Sequence, residues 1–347
     1  MISVEEIRRR LDEIAFPGFR HSLVRYGSVR EVRVEDGDVS VSLLPVTARR
    51  EVADEIRRRV EEALGSLAGV RSVRVLTAED AHVHGAPSEP QRPGELPGVR
   101  RILAVSSAKG GVGKSTVAVN LALALHGRGS RVALMDADVY GPSVPMMMGV
   151  DTKPRPVGKK VAPIERYGLS LMSMGFFLDD KSPVIWRGPM VMGLIRQFLH
   201  DVEWGEQDYL VVDMPPGTGD AALTLAQQVP ISGAVIVSTP QEVALQDVER
   251  GIAMFRQVHV PVLGIVENMS HYVCPHCGER EEVFGAGGGE SLSRQFGVPL
   301  LATLPIVAGI REGGDAGRPF VVTEPDHPVS LDFRRLADAI DRALSQV

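Results

Sequence analysis

The residues best equipped for chemistry lie between Ala108 and Thr116, where the chain reads AKGGVGKST. Gly110, Gly111 and Gly113, with Val112 among them, let the backbone fold around phosphate groups with its N–H bonds turned inward. A helix opening directly behind them adds a favourable dipole. Lys114 is placed to reach the β- and γ-phosphates and Ser115 to put its hydroxyl on Mg2+, while Thr116 closes the segment by capping or packing the first helical turn. A bare glycine turn would not bring these features together, whereas here an apolar strand, the glycines, a Lys-Ser pair and a helical pattern coincide. A second Mg2+ element calls for an acidic residue at the end of another apolar strand, and YLVVDMPPGTGD supplies Asp213 there. Gly217 and Gly219 beside it suit a loop that moves when the γ-phosphate is lost. Hydrolysis also needs a group that orients water, and LMDAD offers Asp136 and Asp138, unless that pair is only a solvated strand end.

The chain has two cysteines, Cys274 and Cys277, both in the single CxxC of CPHCG. A redox dithiol would open a helix in a thioredoxin-like βαβ context, but this pair follows an apolar strand and the residues ENMS. Two thiolates are half of a four-ligand site, and no other cysteine exists to complete it. A two-fold dimer would bring two pairs together, giving four thiolates for a bridging [4Fe-4S] cluster or for a zinc ion. His271 and His276 offer a Cys2His2 zinc site within one chain as the alternative, with His276 poorly spaced for it. His82 and His84 read as surface residues.

These side chains need a scaffold that gathers strand ends. From Val99 onward, short β-rich runs (ILAVSS, RVALMDAD, YLVVDMP, GAVIVSTP, VLGIVENM, LLATLP) alternate with helical patterns. Continuous apolar strands separated by helices predict a doubly wound, mostly parallel α/β sheet covered on both faces, with ligands beyond the strands' carboxyl ends. Ahead of it, residues 1–84 predict helix, strand, strand, helix, strand: Val4, Ile7, Leu11 and Ile14 recur at helical spacing, and Val39, Val41 and Leu43 alternate. A hairpin turn is expected at Glu35-Asp36-Gly37-Asp38 and a second helix over 48–64, which makes a small α+β domain. Between the two, residues 85–98 (GAPSEPQRPGELPG) read as a Pro/Gly-rich linker. The larger domain is then 99–347.

With 44% hydrophobic and 24% charged residues and a net charge of -6, the 347-residue chain offers no general attraction to nucleic acid or anionic lipid. Neither is expected as a partner. The N-terminal MISVEEIRRRLDEI lacks a signal-peptide core, and the apolar runs fall short of the ~20 residues that span a bilayer. A CxxC without a disulfide framework suits a reducing cytoplasm. Arg8–Arg10 and Arg57–Arg59 read as solvated helix faces with glutamates nearby, and Met146–Met148 as packing residues. No chemistry is assigned to Trp186 or Arg187.

Lys109, ahead of the glycines, resembles the deviant Walker A signature KGGxGK[ST] of dimerising ATPases that include MinD, ParA, the arsenical pump ATPase and the nitrogenase iron protein. The resemblance implies ATP as the nucleotide and a Lys109 that crosses to a partner's nucleotide. It also implies Asp138 as the residue that orients water, Asp136 as support near Mg2+, and Asn268 as a hydrogen-bond partner of adenine, where a turn-forming Asn is the plainer reading. The wider set MDADVYGPSVP (135–145), WRGPM (186–190), DMPPGTGD (213–220), ENMS (267–270), CPHCG (274–278) and FGAGGG (284–289) is similar to the Mrp/ApbC family of iron-sulfur cluster carrier ATPases. Slow ATP hydrolysis is then implied, with a homodimer holding a labile [4Fe-4S] cluster between two Cys274/Cys277 pairs and partners among cluster scaffold proteins and apo iron-sulfur clients. Val307 departs from the family, whose members often carry an acid near that position, while Arg311 and Asp315 remain. Residues 1–84 resemble the SufT/PaaD-type module, with Phe16-Pro17-Gly18 standing where the acidic-proline stretch usually lies and no cysteine present.

Two other readings compete. A ParA/MinD-like positioning ATPase predicts basic or amphipathic membrane- or DNA-binding segments, whereas residues 333–347 are mixed in charge and read as a helix packed on the domain. A zinc-bridged ATPase metallochaperone would use the same thiolates.

Overall fold

The computed structural model describes residues 3–14, 23, 29–35, 37–43, 50–67, 69–76, 96–139, 141–158, 160–177 and 188–346. Phe16-Pro17-Gly18, His82, His84, Trp186, Arg187 and nearly all of the 85–98 segment lie outside them. The chain divides into two compact units, residues 1–91 and 92–347.

The first unit runs α1 (Val4–Asp12), β1 (Val29–Glu35), β2 (Asp38–Leu43), α2 (Arg50–Gly65) and β3 (Ser72–Leu76), the order that its hydrophobic periodicity predicts. Ser3 caps α1 by accepting the Glu6 N–H at 3.2 Å. Strands β1 and β2 form an antiparallel hairpin that brings Glu35 opposite Asp38, and β3 lies parallel to β2. Gly37 closes the turn at φ +89°, a conformation that costs a glycine little. Ile7 and Leu11 of α1, Ile56, Val60 and Leu64 of α2, and Val39 and Val41 of β2 share one core. On the outer face of α2, Arg58 and Arg59 pair with Glu55 and Glu62, as expected of a solvated helix surface.

The second unit begins with β4 (Ile102–Ser106), α3 (Lys114–Gly127), β5 (Val132–Asp136) and the short α4 (Val144–Met148). A small hairpin, β6 (Arg155–Val157) and β7 (Lys160–Ala162), precedes β8 (Ile164–Arg166) and β9 (Leu169–Ser173). Next come α5 (Gly188–His200), β10 (Tyr209–Asp213), α6 (Asp220–Gln228), β11 (Gly233–Ser238), α7 (Glu242–Gln257) and β12 (Val262–Glu267). The chain finishes with β13 (Tyr272–Val273), β14 (Arg280–Glu281), α8 (Gly288–Phe296), β15 (Leu300–Thr303), α9 (Ala308–Asp315), α10 (Phe320–Thr323) and α11 (Pro328–Leu344).

Eight strands form one sheet in the order β15-β12-β11-β4-β10-β5-β9-β8, all parallel except the edge strand β8. Both faces are buried. Ile102 and Ala104 of β4 enter one core with Phe198 of α5, Leu225 of α6, Phe255 of α7 and Leu292 of α8. Leu103 and Val105 enter the other with Val117 and Leu121 of α3 and Phe333, Leu336 and Ile340 of α11. Residues from 333 onward thus contribute a packed helix, and no helix among the described residues is long and apolar enough to cross a membrane. Met147 and Met148 are buried, and Met146 is exposed.

Strands β8 and β9 were not among the runs that the sequence marked. LSLMS mixes serines into an apolar strand, and the fold accommodates them by bonding each one. Ser170 donates to Glu165 at 2.7 Å and Ser173 to Asp136 at 2.8 Å. The strand order places the carboxyl ends of β4, β10 and β5 side by side, so the crevice expected of a doubly wound sheet opens there.

Candidate nucleotide site and cysteine pair

The loop between β4 and α3 turns on Gly111 and Gly113, with φ of +82° and +83°. At Gly113 a side chain is excluded twice, since a Cβ would also lie 2.2 Å from Asn268 Nδ2. Gly113 is the N-cap of α3 and offers no side-chain acceptor, so the first-turn N–H groups remain available to an anion. The base of the loop is fastened by Ser107, whose hydroxyl donates to the Lys109 carbonyl at 2.9 Å and whose own carbonyl accepts the Gly217 N–H at 2.8 Å. Lys109 itself is exposed, in contrast to the buried Lys114.

Pairing in the sheet explains how the acidic residues meet. Asp213 ends β10 opposite Val105 of β4 on one side and Asp136 of β5 on the other. Lys114 Nζ lies 2.5 Å from Asp213 Oδ1, 3.3 Å from Ser115 Oγ and 3.5 Å from Asp138 Oδ2. Asp136 is fully buried and spends both oxygens on the protein, accepting the Asp138 N–H at 3.1 Å, the Val144 N–H at 3.3 Å and the Ser173 hydroxyl at 2.8 Å. It therefore shapes the loop that carries Asp138. Burial, reinforced by the charge of Asp213, pushes the Asp136 carboxyl up to about 7. Burial raises Asp213 too, against the opposing pull of Lys114 and Ser115.

One oxygen of this cluster is left over. Asp213 Oδ2 is buried and has no hydrogen-bond partner. With the Ser115 hydroxyl beside it, the site offers two hard oxygen ligands, which suits Mg2+, an ion that keeps several waters and phosphate oxygens of its own.

Asn268, just past β12, donates its side-chain N–H to the Val112 carbonyl at 2.9 Å and its backbone N–H to Ser238 at 2.8 Å. This brace on the phosphate loop is not legible from the ENMS motif. Neither is Glu267, a buried carboxylate at the end of β12 that accepts the Gly289 N–H at 2.5 Å. Its only signal in the sequence is an acid closing an apolar strand, the same signal that points to Asp213.

Cys274 and Cys277 sit in the turn of the β13–β14 hairpin. Cys274 donates its N–H to Glu279 and accepts the Gly278 N–H, both at 2.9 Å, and Gly278 turns at φ +73°. Backbone N–H groups of Cys277 and His276, and the Cys277 thiol, point at the Cys274 sulfur and hold its thiol below the usual range. The pair does not open a helix, so the geometry of a thioredoxin-like dithiol is absent from it. Among the described residues no three His, Cys, Asp or Glu side chains gather to hold a metal ion, and the Cys2His2 site with His271 and His276 is not formed. His271 is half-buried, with Nδ1 2.8 Å from the Ser270 hydroxyl.

The sequence pattern of the NUBPL iron-transfer P-loop NTPase family matches residues 98–341. The chain belongs to this family. A second pattern, that of an iron-sulfur cluster assembly protein, matches residues 4–76. The iron-sulfur cluster carrier protein of Synechocystis sp. is 47% identical over 347 residues, which cover 98% of this chain and 97% of that protein. A nucleotide-binding protein from Archaeoglobus fulgidus, solved in complex with ADP, is 41% identical with a TM-score of 0.61, over 69% of this chain and 93% of its own. The cell division ATPase MinD of Pyrococcus furiosus, at 23% identity and a TM-score of 0.55 over 70% of this chain and 98% of its own, shares the fold alone. As a P-loop NTPase the chain has the expected doubly wound sheet, and α11 seats its apolar side in the core.

Proposed function

We propose that the chain binds and slowly hydrolyses ATP, assembles a labile [4Fe-4S] cluster between the Cys274/Cys277 pairs of two copies, and passes that cluster to apo-proteins. The carrying observation is the exposed hairpin whose CxxC has no third ligand among the described residues, on a domain that also holds a phosphate loop. Two thiolates per chain make a half-site, and a second copy related by two-fold symmetry completes it. Cluster scaffold proteins and apo clients are the partners, and neither membrane nor nucleic acid has a part. The reading places the chain in the cytoplasm and makes residues 85–98 the linker between a 1–84 domain and a 99–347 domain.

For ATP, Gly110, Gly111, Val112, Gly113, Lys114, Ser115 and Thr116 form the cradle. Ser115 and Asp213 would hold Mg2+, which neutralises charge between the β- and γ-phosphates. Lys114 exchanges Asp213 for the phosphate oxygens on binding. Asp138, held in place by the loop that Asp136 orders, orients a water for attack on the γ-phosphorus; the bond to the β-phosphate oxygen breaks and ADP and phosphate leave. Lys109, exposed on one copy, stabilises the charge that develops on the nucleotide of the other. Asn268 spends one amide hydrogen on Val112 and keeps the second for the adenine edge.

The test is to load wild type, Lys114→Ala and Lys109→Ala with cluster under anaerobic conditions and follow recovery of an apo-enzyme that requires [4Fe-4S], with ATP present. Both variants are expected to hydrolyse ATP ~100-fold more slowly and to lose ATP-dependent transfer. Transfer at the wild-type rate by both would contradict the proposal.

A further inference from the structure

One buried carboxylate has no part in the chemistry above. Glu267 ends β12, is 5% exposed, and accepts the Gly289 N–H at 2.5 Å. Gly289 lies in the first turn of α8, whose N-cap, Gly287, has no side chain with which to close the helix. Glu267 closes it instead, from the neighbouring strand end. The fit is tight: a Cβ on Gly289 would lie 2.8 Å from Leu300 Cδ1 and 3.0 Å from Glu267 Oε2.

What this bond closes is the loop that carries both cysteines. The chain leaves β12 at Asn268 and re-enters a helix at Gly288, with Cys274 and Cys277 in between. The outgoing limb is anchored step by step. Asn268 bonds to Ser238 at 2.8 Å and, through its side chain, to Val112 of the phosphate loop at 2.9 Å. Met269 is held in the left-handed region at φ +56°. Ser270 donates its N–H to Leu304 at 2.9 Å, and the His271 carbonyl accepts the Ile306 N–H at 2.7 Å before β13 begins. On the returning limb, Glu267 supplies the anchor at the start of α8.

We propose that Glu267 is a positioning residue that closes the base of the cysteine loop against the strand end bearing Asn268, so that a change in the phosphate loop reaches Cys274 and Cys277. This rests on the reading of residues 110–116 as the nucleotide site. The path is short: Val112 carbonyl, Asn268 side chain, the adjoining Glu267, and the Gly289 N–H. Without the carboxylate, the first turn of α8 loses its tie to the end of β12, although Leu292 still holds the helix in the core, and a displacement of Asn268 is taken up as slack where the loop re-enters α8.

The two loop cysteines are the only thiols in the chain, so their rate of reaction with dithionitrobenzoate reads the loop directly in reduced, cluster-free, full-length protein. With Mg-ATP added, the wild-type rate is expected to change on the order of fivefold. Glu267→Ala should bind a fluorescent ATP analogue as wild type does yet lose that response, and Glu267→Gln, which keeps a carbonyl acceptor for Gly289, should restore it. Gly289→Ala, which forces the same contact apart from the other side, should reproduce the loss and guards against misfolding of the first variant. A wild-type response in Glu267→Ala and Gly289→Ala overturns the proposal, as does a wild type that binds ATP with no change in thiol rate. A wild type that binds no ATP analogue overturns the nucleotide reading beneath it.

Discussion

Lys114 and Lys109 are five residues apart and stand in opposite environments. Lys114 is buried and offsets the charge of Asp213 and Asp138, whereas Lys109 faces solvent. Removing Lys114 leaves buried carboxylates without their cation, so Lys114→Ala should cost ~3–5 kcal/mol of unfolding free energy. Lys109→Ala should stay within ~0.5 kcal/mol of wild type while slowing hydrolysis ~100-fold. Urea denaturation of the two variants separates a lysine that also holds the fold from one that acts only in the reaction. Asp136 gives a pH signature. Its carboxyl sits at about 7 against an ordinary 3.8, so between those values the folded chain keeps a proton that the unfolded chain has lost. Its contribution to stability is therefore fully present below about pH 4 and is lost as pH rises through about 7. Asp136→Asn, which cannot ionise, should flatten that slope in denaturation curves between these limits.

At the scale of elements, the two functional turns rest on glycine for different reasons. Gly113→Ala meets both a left-handed φ and the Asn268 amide at 2.2 Å, so it should abolish binding of a fluorescent ATP analogue. Gly278→Ala meets only the conformational penalty, as a Cβ there finds open space, so it should cost ~1–2 kcal/mol in the hairpin and weaken cluster retention while leaving nucleotide affinity unchanged. Binding titrations on both variants check the contrast. Most elements that position these turns were legible because burial on both faces leaves an unbroken apolar run, as in ILAVS and YLVVD. Strand β9 was not, because its serines break that run and their hydrogen bonds to Glu165 and Asp136 exist only after folding. The phosphate loop and the acids at strand ends were readable as local motifs. The Asn268 brace and the Glu267 bond to Gly289 were not, since each joins residues whose proximity is created by the sheet order.

At the scale of the whole molecule, each unit has its own core, and the Archaeoglobus relative has 93% of its chain matched by only 69% of this one. The phosphate loop and the cysteine hairpin both lie within residues 92–347, so the proposed chemistry is assigned to that unit. The reading then depends on what the Cys274/Cys277 pairs of two such units hold in common. The direct test is anaerobic reconstitution of full-length protein with iron and sulfide, followed by metal and sulfide counts and sedimentation, on wild type and on the Cys274→Ala/Cys277→Ala variant. The account predicts a coloured, oxygen-labile dimer with about four irons and four sulfides per two chains, and a colourless double variant that binds neither. A colourless wild type that takes up zinc, or a cluster that forms on single chains or survives loss of both cysteines, would contradict it.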